Sequence, residues 1–199
     1  MGIKEEMVSE VSRYILEAQD SVKKLEVDYL TNKVLRAQEL ILETLSRSAP
    51  VICCGNGGSF ADASHFCGEL VNQFMYSHPA FPFLTLGSNN TVLTAWSNDH
   101  SYETSFLREF EAFASPHSTL CIFTTSGTSP NILKVLNAAE ELGVSVIGFT
   151  SKRGEEALAS RCDVLFVAPT SSTSHAQEIH IIVYHALALA IEKGYRKNG

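Results

Sequence analysis

His65 and Glu69 lie four residues apart. On a helix that spacing turns the two side chains about 40° from each other, on one face. A carboxylate beside an imidazole can pass a proton to and from a substrate, or ligate a metal. The same pair also serves as an ordinary ion pair on a solvated helix. A second group, Gln177, Glu178, His180 and His185, falls within one apolar-rich segment near the C-terminal end. In ideal helix geometry Gln177 and His185 are about 80° apart, and Gln177 and His180 about 60° apart on the other side. His180 and His185 diverge by about 140°, which argues against both serving one site. Spacing leaves either histidine open as the partner of a site.

Two short segments carry a different chemistry. Gly55-Asn56-Gly57-Gly58-Ser59 follows the apolar run Val51-Ile52-Cys53-Cys54, and Thr124-Thr125-Ser126-Gly127-Thr128-Ser129 follows Thr119-Leu120-Cys121-Ile122-Phe123. Glycines let the backbone approach a ligand. Hydroxyls donate to phosphate oxygens, and a helix that starts after each loop adds free amides and a positive dipole end. Neither segment has the lysine of a nucleotide P-loop or the GxGxxG pattern of a dinucleotide site. Two capped turns would explain either loop alone; two at corresponding strand ends favour a phosphate site.

The elements that must position these residues alternate. Residues 1–48 read as two helices, the first with Val8, Val11, Ile15, Ala18 and Val22 in one stripe, the second from about Asp28 to Ser48. Pro50 breaks the pattern. From there, expected strands at Val51–Cys54, Phe83–Leu86, Thr119–Phe123, Val144–Phe149 and Val164–Val167 alternate with helices. These helices are expected at Ala61–Met75, Thr91–Trp96, Tyr102–Phe113, Pro130–Leu142 and His175–Lys193. Near-continuous apolar strands between helices indicate a parallel sheet covered on both faces. The expected fold is therefore α/β, one doubly wound parallel sheet with an N-terminal helical extension. Residues 1–48 are expected at an oligomer interface, where the first helix packs on its neighbour, and residues 49–199 form the ligand-binding domain.

The chain has 199 residues, 45% of them hydrophobic, with 15 basic against 22 acidic side chains and a net charge of −7. That balance argues against a nucleic-acid partner. Apolar runs fall short of a membrane span, and the charged start lacks a signal-peptide core, so no membrane association is expected. Five cysteines in no framework spacing, and no CxxC, point to a reducing compartment and away from a thiolate metal site.

Cys54-Gly55-Asn56-Gly57-Gly58-Ser59, followed by Asp62, His65-Phe66 and Glu69, resembles the first motif of the sugar isomerase (SIS) fold as found in phosphoheptose isomerases. Asn98-Asp99, Thr125-Ser126-Gly127-Thr128-Ser129 and Gln177-Glu178-Ile179-His180 with His185 continue the likeness in order. The resemblance covers nearly the whole chain. It implies interconversion of D-sedoheptulose 7-phosphate and D-glycero-D-manno-heptose 7-phosphate through an enediol, by a cytoplasmic homotetramer with one zinc ion per subunit. It also implies roles for residues. His65, Glu69, Gln177 and His185 would ligate the metal, and Glu69 and His185 would be the acid/base pair. Asn56, Gly57, Gly58, Ser59, Glu69, Asn98, Asp99, Thr124, Thr125, Ser126, Ser129 and Gln177 would contact the phosphorylated seven-carbon sugar. The resemblance selects His185 over His180, which becomes structural.

The chain departs from the family pattern in places. Gln73 and His175-Ala176 stand where arginines are common, so two positive charges near an anionic ligand are lost. Thr124 replaces a common Ser, Thr128 a common Asn, and Gly87-Ser88-Asn89-Asn90 lacks an acidic residue. These positions bear on which sugar phosphate fits. Two alternatives follow: an isomerase of another sugar phosphate, or a non-catalytic SIS module that binds the bacterial replication initiator. The presence of both Glu69 and His185 counts against the second.

Overall fold

Residues 3–198 are described by the computed structural model. Met1, Gly2 and Gly199, the outermost residues of the two expected segments, lie outside the described residues. Two helices come first, α1 (Ile3–Lys23) and α2 (Val27–Ser46). Five strands follow: β1 (Val51–Gly55), β2 (Phe83–Thr85), β3 (Thr119–Phe123), β4 (Ser145–Ser151) and β5 (Val164–Ala168). Between and after them run α3 (Gly58–Val71), α4 (Asn90–Asp99), a 3₁₀ turn (Tyr102–Thr104), α5 (Ser105–Phe113), α6 (Pro130–Leu142), α7 (Glu155–Leu158) and α8 (Thr173–Asn198).

All five strands are parallel, in the order β2-β1-β3-β4-β5. The chain reverses its direction of travel across the sheet between β1 and β3. In such sheets the crevice outside the carboxyl ends at that switch point takes the ligand. Register sharpens the point: Val51 pairs with Thr119 and Gly55 with Phe123, so β1 and β3 end at one level. The glycine loop and the hydroxyl loop therefore leave the sheet side by side.

Strand alternation divides the core. Cys53, Cys121, Ile147 and Phe149 pack with Ile41 of α2, Phe66 and Leu70 of α3, and Tyr184 and Leu187 of α8. Ile52, Cys54, Leu120 and Ile122 pack with Phe106 and Phe110 of α5 and Ile132 and Val135 of α6. Phe123 and Phe149 stack at 4.3 Å in the first layer, with Phe66 tilted against both. Pro130 opens α6 at its first position, where its missing N–H costs nothing, and Gly143 ends it in the left-handed region at φ 71°. Cys53, Cys54, Cys67 and Cys121 are buried free thiols. No described helix is long and apolar enough to cross a membrane.

Four details differ from the sequence reading. First, α3 starts at Gly58, inside the glycine loop, and stops at Val71. The apolar pattern runs on to Met75, but the amides of Phe74, Met75 and Tyr76 are taken by the Glu192 carboxylate. Second, β4 continues through the polar Thr150 and Ser151. Their hydroxyls donate to the Thr124 and Thr125 carbonyls, so both are buried at no cost. Third, the short α7 carries too little periodicity to be seen in the sequence. Fourth, α1 lies along the start of α8, with Tyr14 against His175 at 4.5 Å. It leaves Val8, Val11 and Ile15 more than half exposed.

Candidate active site

β1 delivers the chain to Gly55, where an added Cβ would collide with the backbone of Ser59. Gly57 then turns at φ 57°, a left-handed conformation that glycine adopts freely. This tight exit starts α3 at once. Gly58 faces α8: a Cβ here would lie 2.6 Å from Gln177 Nε2. The Gln177 amide donates to Ser59 Oγ at 3.4 Å. Ser59 and Gln177 thus meet at the first turn of α3.

Two turns further along α3 stand His65 and Glu69. His65 Nε2 lies 2.8 Å from Glu69 Oε1. Across from them α8 presents His185, whose Nε2 is 4.0 Å from the same carboxylate oxygen. The two imidazoles meet edge to face at 5.0 Å. Residues 69 and 185 are far apart in sequence and converge because α3 and α8 share one face of the sheet.

Their surroundings set the protonation states. Burial, with help from the charges of Asp62 and Glu69, pushes the Tyr184 phenol well above its ordinary range, so it stays a donor. Its hydroxyl sits 2.8 Å from His65 Nδ1. With Tyr184 O–H donating to Nδ1, His65 Nε2–H donates to Glu69. His185 is held below its usual value, first by burial and then by His65, while Glu69 acts in the opposite sense. Phe74 supplies part of that burial: its ring stacks on the His185 imidazole at 5.2 Å and 12°.

The donor atoms of His65, Glu69 and His185 all lie within 4.8 Å of one another. Two imidazoles and one carboxylate suit zinc, which accepts nitrogen and oxygen ligands. With a metal on Nε2, His65 would carry its proton on Nδ1 and donate it to the Tyr184 oxygen, the outer support that metal-ligating histidines have. The three residues therefore fit a divalent ion. Gln177, expected as a fourth ligand, rests on Ser59 in this arrangement.

The hydroxyl loop is shaped mainly by backbone. Thr124 is buried, and its Oγ1 accepts the Gly127 N–H at 3.3 Å. Gly127 turns at φ 68°, pressed against Gly154: a Cβ would come 3.0 Å from that Cα. Ser126 Oγ accepts from the Thr128 amide and hydroxyl at 3.3 and 3.2 Å. Ser129 caps α6 in extended geometry without a side-chain capping bond, so its hydroxyl points to no helix amide. Thr125 Oγ1 reaches Thr173 Oγ1 of α8 at 3.5 Å. Along α8, Thr173, Gln177 and His185 thus touch the hydroxyl loop, the glycine loop and the acid/base cluster in turn.

Asn56 has both ends of its amide committed. It exchanges hydrogen bonds of 2.9 and 2.8 Å with Asn131, and Tyr102 O–H donates to its Oδ1 at 2.8 Å. Asn56 and Asn131 therefore tie the two loops together. Asn98 and Asp99 sit exposed at the end of α4, hydrogen-bonded to each other at 2.8 Å. Among the described residues no hydrogen bond joins them to either loop. His180 is fully buried, 3.1 Å from the Thr150 carbonyl and 3.9 Å from Asp62 Oδ2. His175 is buried as well, and it faces Glu178 at 3.0 Å and the α1 side chains.

Sequence reasoning did not single out Tyr184, Phe74, Asn131 or Tyr102. Tyr184 had one signal, its place beside His185. The other three act from segments with no polar pattern of their own.

The SIS domain family model matches residues 13–151. A phosphoheptose isomerase of Nitratidesulfovibrio vulgaris is 39% identical over 184 residues, 91% of this chain and 88% of that protein. A phosphoheptose isomerase of Trichlorobacter lovleyi is 37% identical, over 86% of this chain and 87% of that protein. The structure of a phosphoheptose isomerase from Neisseria gonorrhoeae superposes with a TM-score of 0.79 at 29% identity, over 96% of this chain and all of that one.

Proposed function

The chain belongs to the SIS domain family, and we propose that it isomerises D-sedoheptulose 7-phosphate to D-glycero-D-manno-heptose 7-phosphate. The observation that carries this reading is the carboxylate–imidazole pair: Glu69 and His185, on separate helices, stand 4.0 Å apart, about two to three turns along α3 and α8 from the switch-point loops. The relatives' shared name, phosphoheptose isomerase, supplies the substrate.

Glu69 takes a proton from C1 of the ketose, and the electron pair forms the C1–C2 double bond of an enediol. His185 protonates the carbonyl oxygen at C2 and accepts the hydroxyl proton at C1. Glu69, whose acquired proton exchanges with solvent, then protonates C2 and completes the aldose. An imidazole held below its usual pKa is neutral at pH 7, so its N–H protonates the C2 oxygen and the same nitrogen then takes back the C1 hydroxyl proton. His65, donating to Glu69 and accepting from Tyr184, fixes the direction of the carboxylate. Ser126, Ser129, Thr125 and the first amides of α6 take the phosphate, whereas Thr124 and Asn56 shape the loops. Asn98 and Asp99 close on the sugar from the end of α4. A zinc ion held by His65, Glu69, Gln177 and His185 would polarise the substrate carbonyl.

A homotetramer in the cytoplasm completes the proposal. The exposed stripe of α1 and an apolar groove of about 750 Å³ between α2 and α8, lined by Leu30, Leu35, Ile182 and Leu189, are surfaces for sister subunits. On this reading residues 1–48 are the assembly segment and residues 49–199 the sugar-phosphate domain. Deleting residues 1–25 should yield smaller assemblies with lower activity; light scattering that finds the assembly unchanged contradicts this.

A second reading, another sugar phosphate as substrate, is favoured by His175. Where an arginine is common, this imidazole is buried against Tyr14. Incubating the protein with sedoheptulose 7-phosphate and following the C1 and C2 protons by NMR decides between the two.

A further inference from the structure

Glu192 is fully buried, and among the described residues no lysine or arginine pairs with it. Its carboxylate instead gathers three consecutive backbone amides, Phe74, Met75 and Tyr76, at 2.7, 2.9 and 3.0 Å. His78 Nε2 lies 3.2 Å from Oε1, on a ring stacked against Phe81 at 4.1 Å. A buried carboxylate is costly unless such donors compensate it. This one spends its acceptors on a segment without regular structure, 116 to 118 residues away in sequence.

The geometry gives the capture a purpose. Glu192 follows His185 by seven residues, which places the two on one face of α8 about two turns apart. Phe74 bridges them: its amide is held by Glu192, and its ring lies on the His185 imidazole at 5.2 Å, nearly parallel at 12°. We propose that Glu192 is a positioning residue for the isomerase, acting through Phe74: the buried carboxylate locks residues 74–76 so that the Phe74 ring fixes the plane of His185. An imidazole has broad freedom about its outer torsion. A ring clamped on its face restricts that freedom and keeps its edge directed at Glu69 and the sugar oxygens. Supporting groups of this kind convert a correctly placed side chain into a preorganised one.

The inference rests on His185 taking part in the chemistry, so its test has one arm that needs no turnover. The His185 ring stacks on Phe74 at 5.2 Å and 12°, so the ring current of Phe74 should shift the His185 ring-proton signals upfield. Phe74→Leu, which keeps apolar volume but removes the ring, should move these NMR signals downfield. Glu192→Gln should move them the same way, because an amide cannot accept all three backbone donors. If Glu192→Gln fails to fold, Met75→Pro deletes one of the three donors at an exposed position and takes its place. Unmoved His185 signals in a folded clamp variant would overturn the proposal.

The second arm is kinetic. Phe74→Leu and Glu192→Gln should each lower kcat about tenfold with KM within about twofold, and the double variant should be no worse than either single one. Phe74→Tyr, which keeps the ring, should restore kcat. Additive losses, or a Phe74→Leu enzyme with kcat within about twofold of the parent, would contradict the clamp. A parent protein that leaves sedoheptulose 7-phosphate unchanged would instead contradict the proposed function, and the NMR arm would still judge the clamp.

Discussion

The two ends of the candidate site are built by opposite means. At the α3–α8 end, chemistry depends on three side chains from two helices, and each has a single assignment: His65, Glu69 and His185. At the β3–α6 end, recognition is spread over hydroxyls and amides of one loop, whose shape is fixed by the Thr150 and Ser151 hydroxyls donating to its carbonyls and by the close packing of Gly127 on Gly154. Proton transfer demands a group of one basicity at one place. An anion can be held by any converging set of donors. Substitutions should therefore abolish activity at the first end and only weaken it at the second.

The largest effect is expected at Glu69. Glu69→Gln keeps shape but cannot accept the carbon proton, so kcat should fall by about 10²–10⁴ with the melting temperature retained. His185→Ala should behave alike. A Glu69→Gln enzyme near parental kcat would dissolve the contrast between the two ends.

Ser126→Ala or Ser129→Ala should each remove one donor to the phosphate. Losing a hydrogen bond to a charged partner costs about 1.5–3 kcal/mol, roughly 10- to 150-fold in kcat/KM. Lys134 is the control. It lies a turn inside α6, half-buried and outside the hydroxyl loop, so Lys134→Ala should cost much less at the same ionic strength. Steady-state kinetics that rank Lys134→Ala as the most damaging would move the phosphate away from the hydroxyl loop.

His180 sharpens the comparison from within α8. It stands on the same helix as His185 but is fully buried against the Thr150 carbonyl. His180→Ala should lower stability by about 1–3 kcal/mol, seen in denaturant unfolding, while kcat is largely kept. Lost activity at an unchanged melting temperature would mean that the wrong histidine has been assigned.

The smallest effect lies outside both ends. Arg161 grips Glu140 through bonds of 2.7 and 2.9 Å and holds its carboxyl below the ordinary value of 4.5. A lowered carboxylate pKa adds stability above the unfolded-state pKa, and that stability is lost as pH falls through the folded-state value. Arg161→Ala should therefore cost under about 1 kcal/mol at neutral pH, the range of exposed ion pairs. The difference from the parent should shrink in acid to what the 2.6 Å bond from Arg161 to Asn137 contributes. Urea titrations at pH 7 and pH 3 check both statements; a difference undiminished at the lower pH contradicts them.

The sheet and most helices were legible because their signals are local. β1 and β3 are short apolar runs closed by glycines or hydroxyls, and Pro130 and Gly143 bracket α6. The His65–Glu69 pair was legible for the same reason, since four-residue spacing implies contact on a helix. The choice of His185 over His180 came from family resemblance alone, because helical angles fit either. What stayed hidden is long-range. The end of α3 is set by a carboxylate far along the chain, and polar Thr150 and Ser151 join β4 through partners in another loop. The reciprocal Asn56–Asn131 amide bonds link residues 75 apart. Such pairings leave no periodicity to read.

The most direct test of the account is proton exchange at carbon. Sedoheptulose 7-phosphate incubated with the parent protein in deuterated water should exchange a C1 proton and accumulate a C2-deuterated aldose, both visible by NMR. The Glu69→Gln protein should do neither. Unchanged substrate with the parent, or exchange that survives Glu69→Gln, would contradict the claim that Glu69 and His185 form the acid/base pair of a sugar-phosphate isomerase.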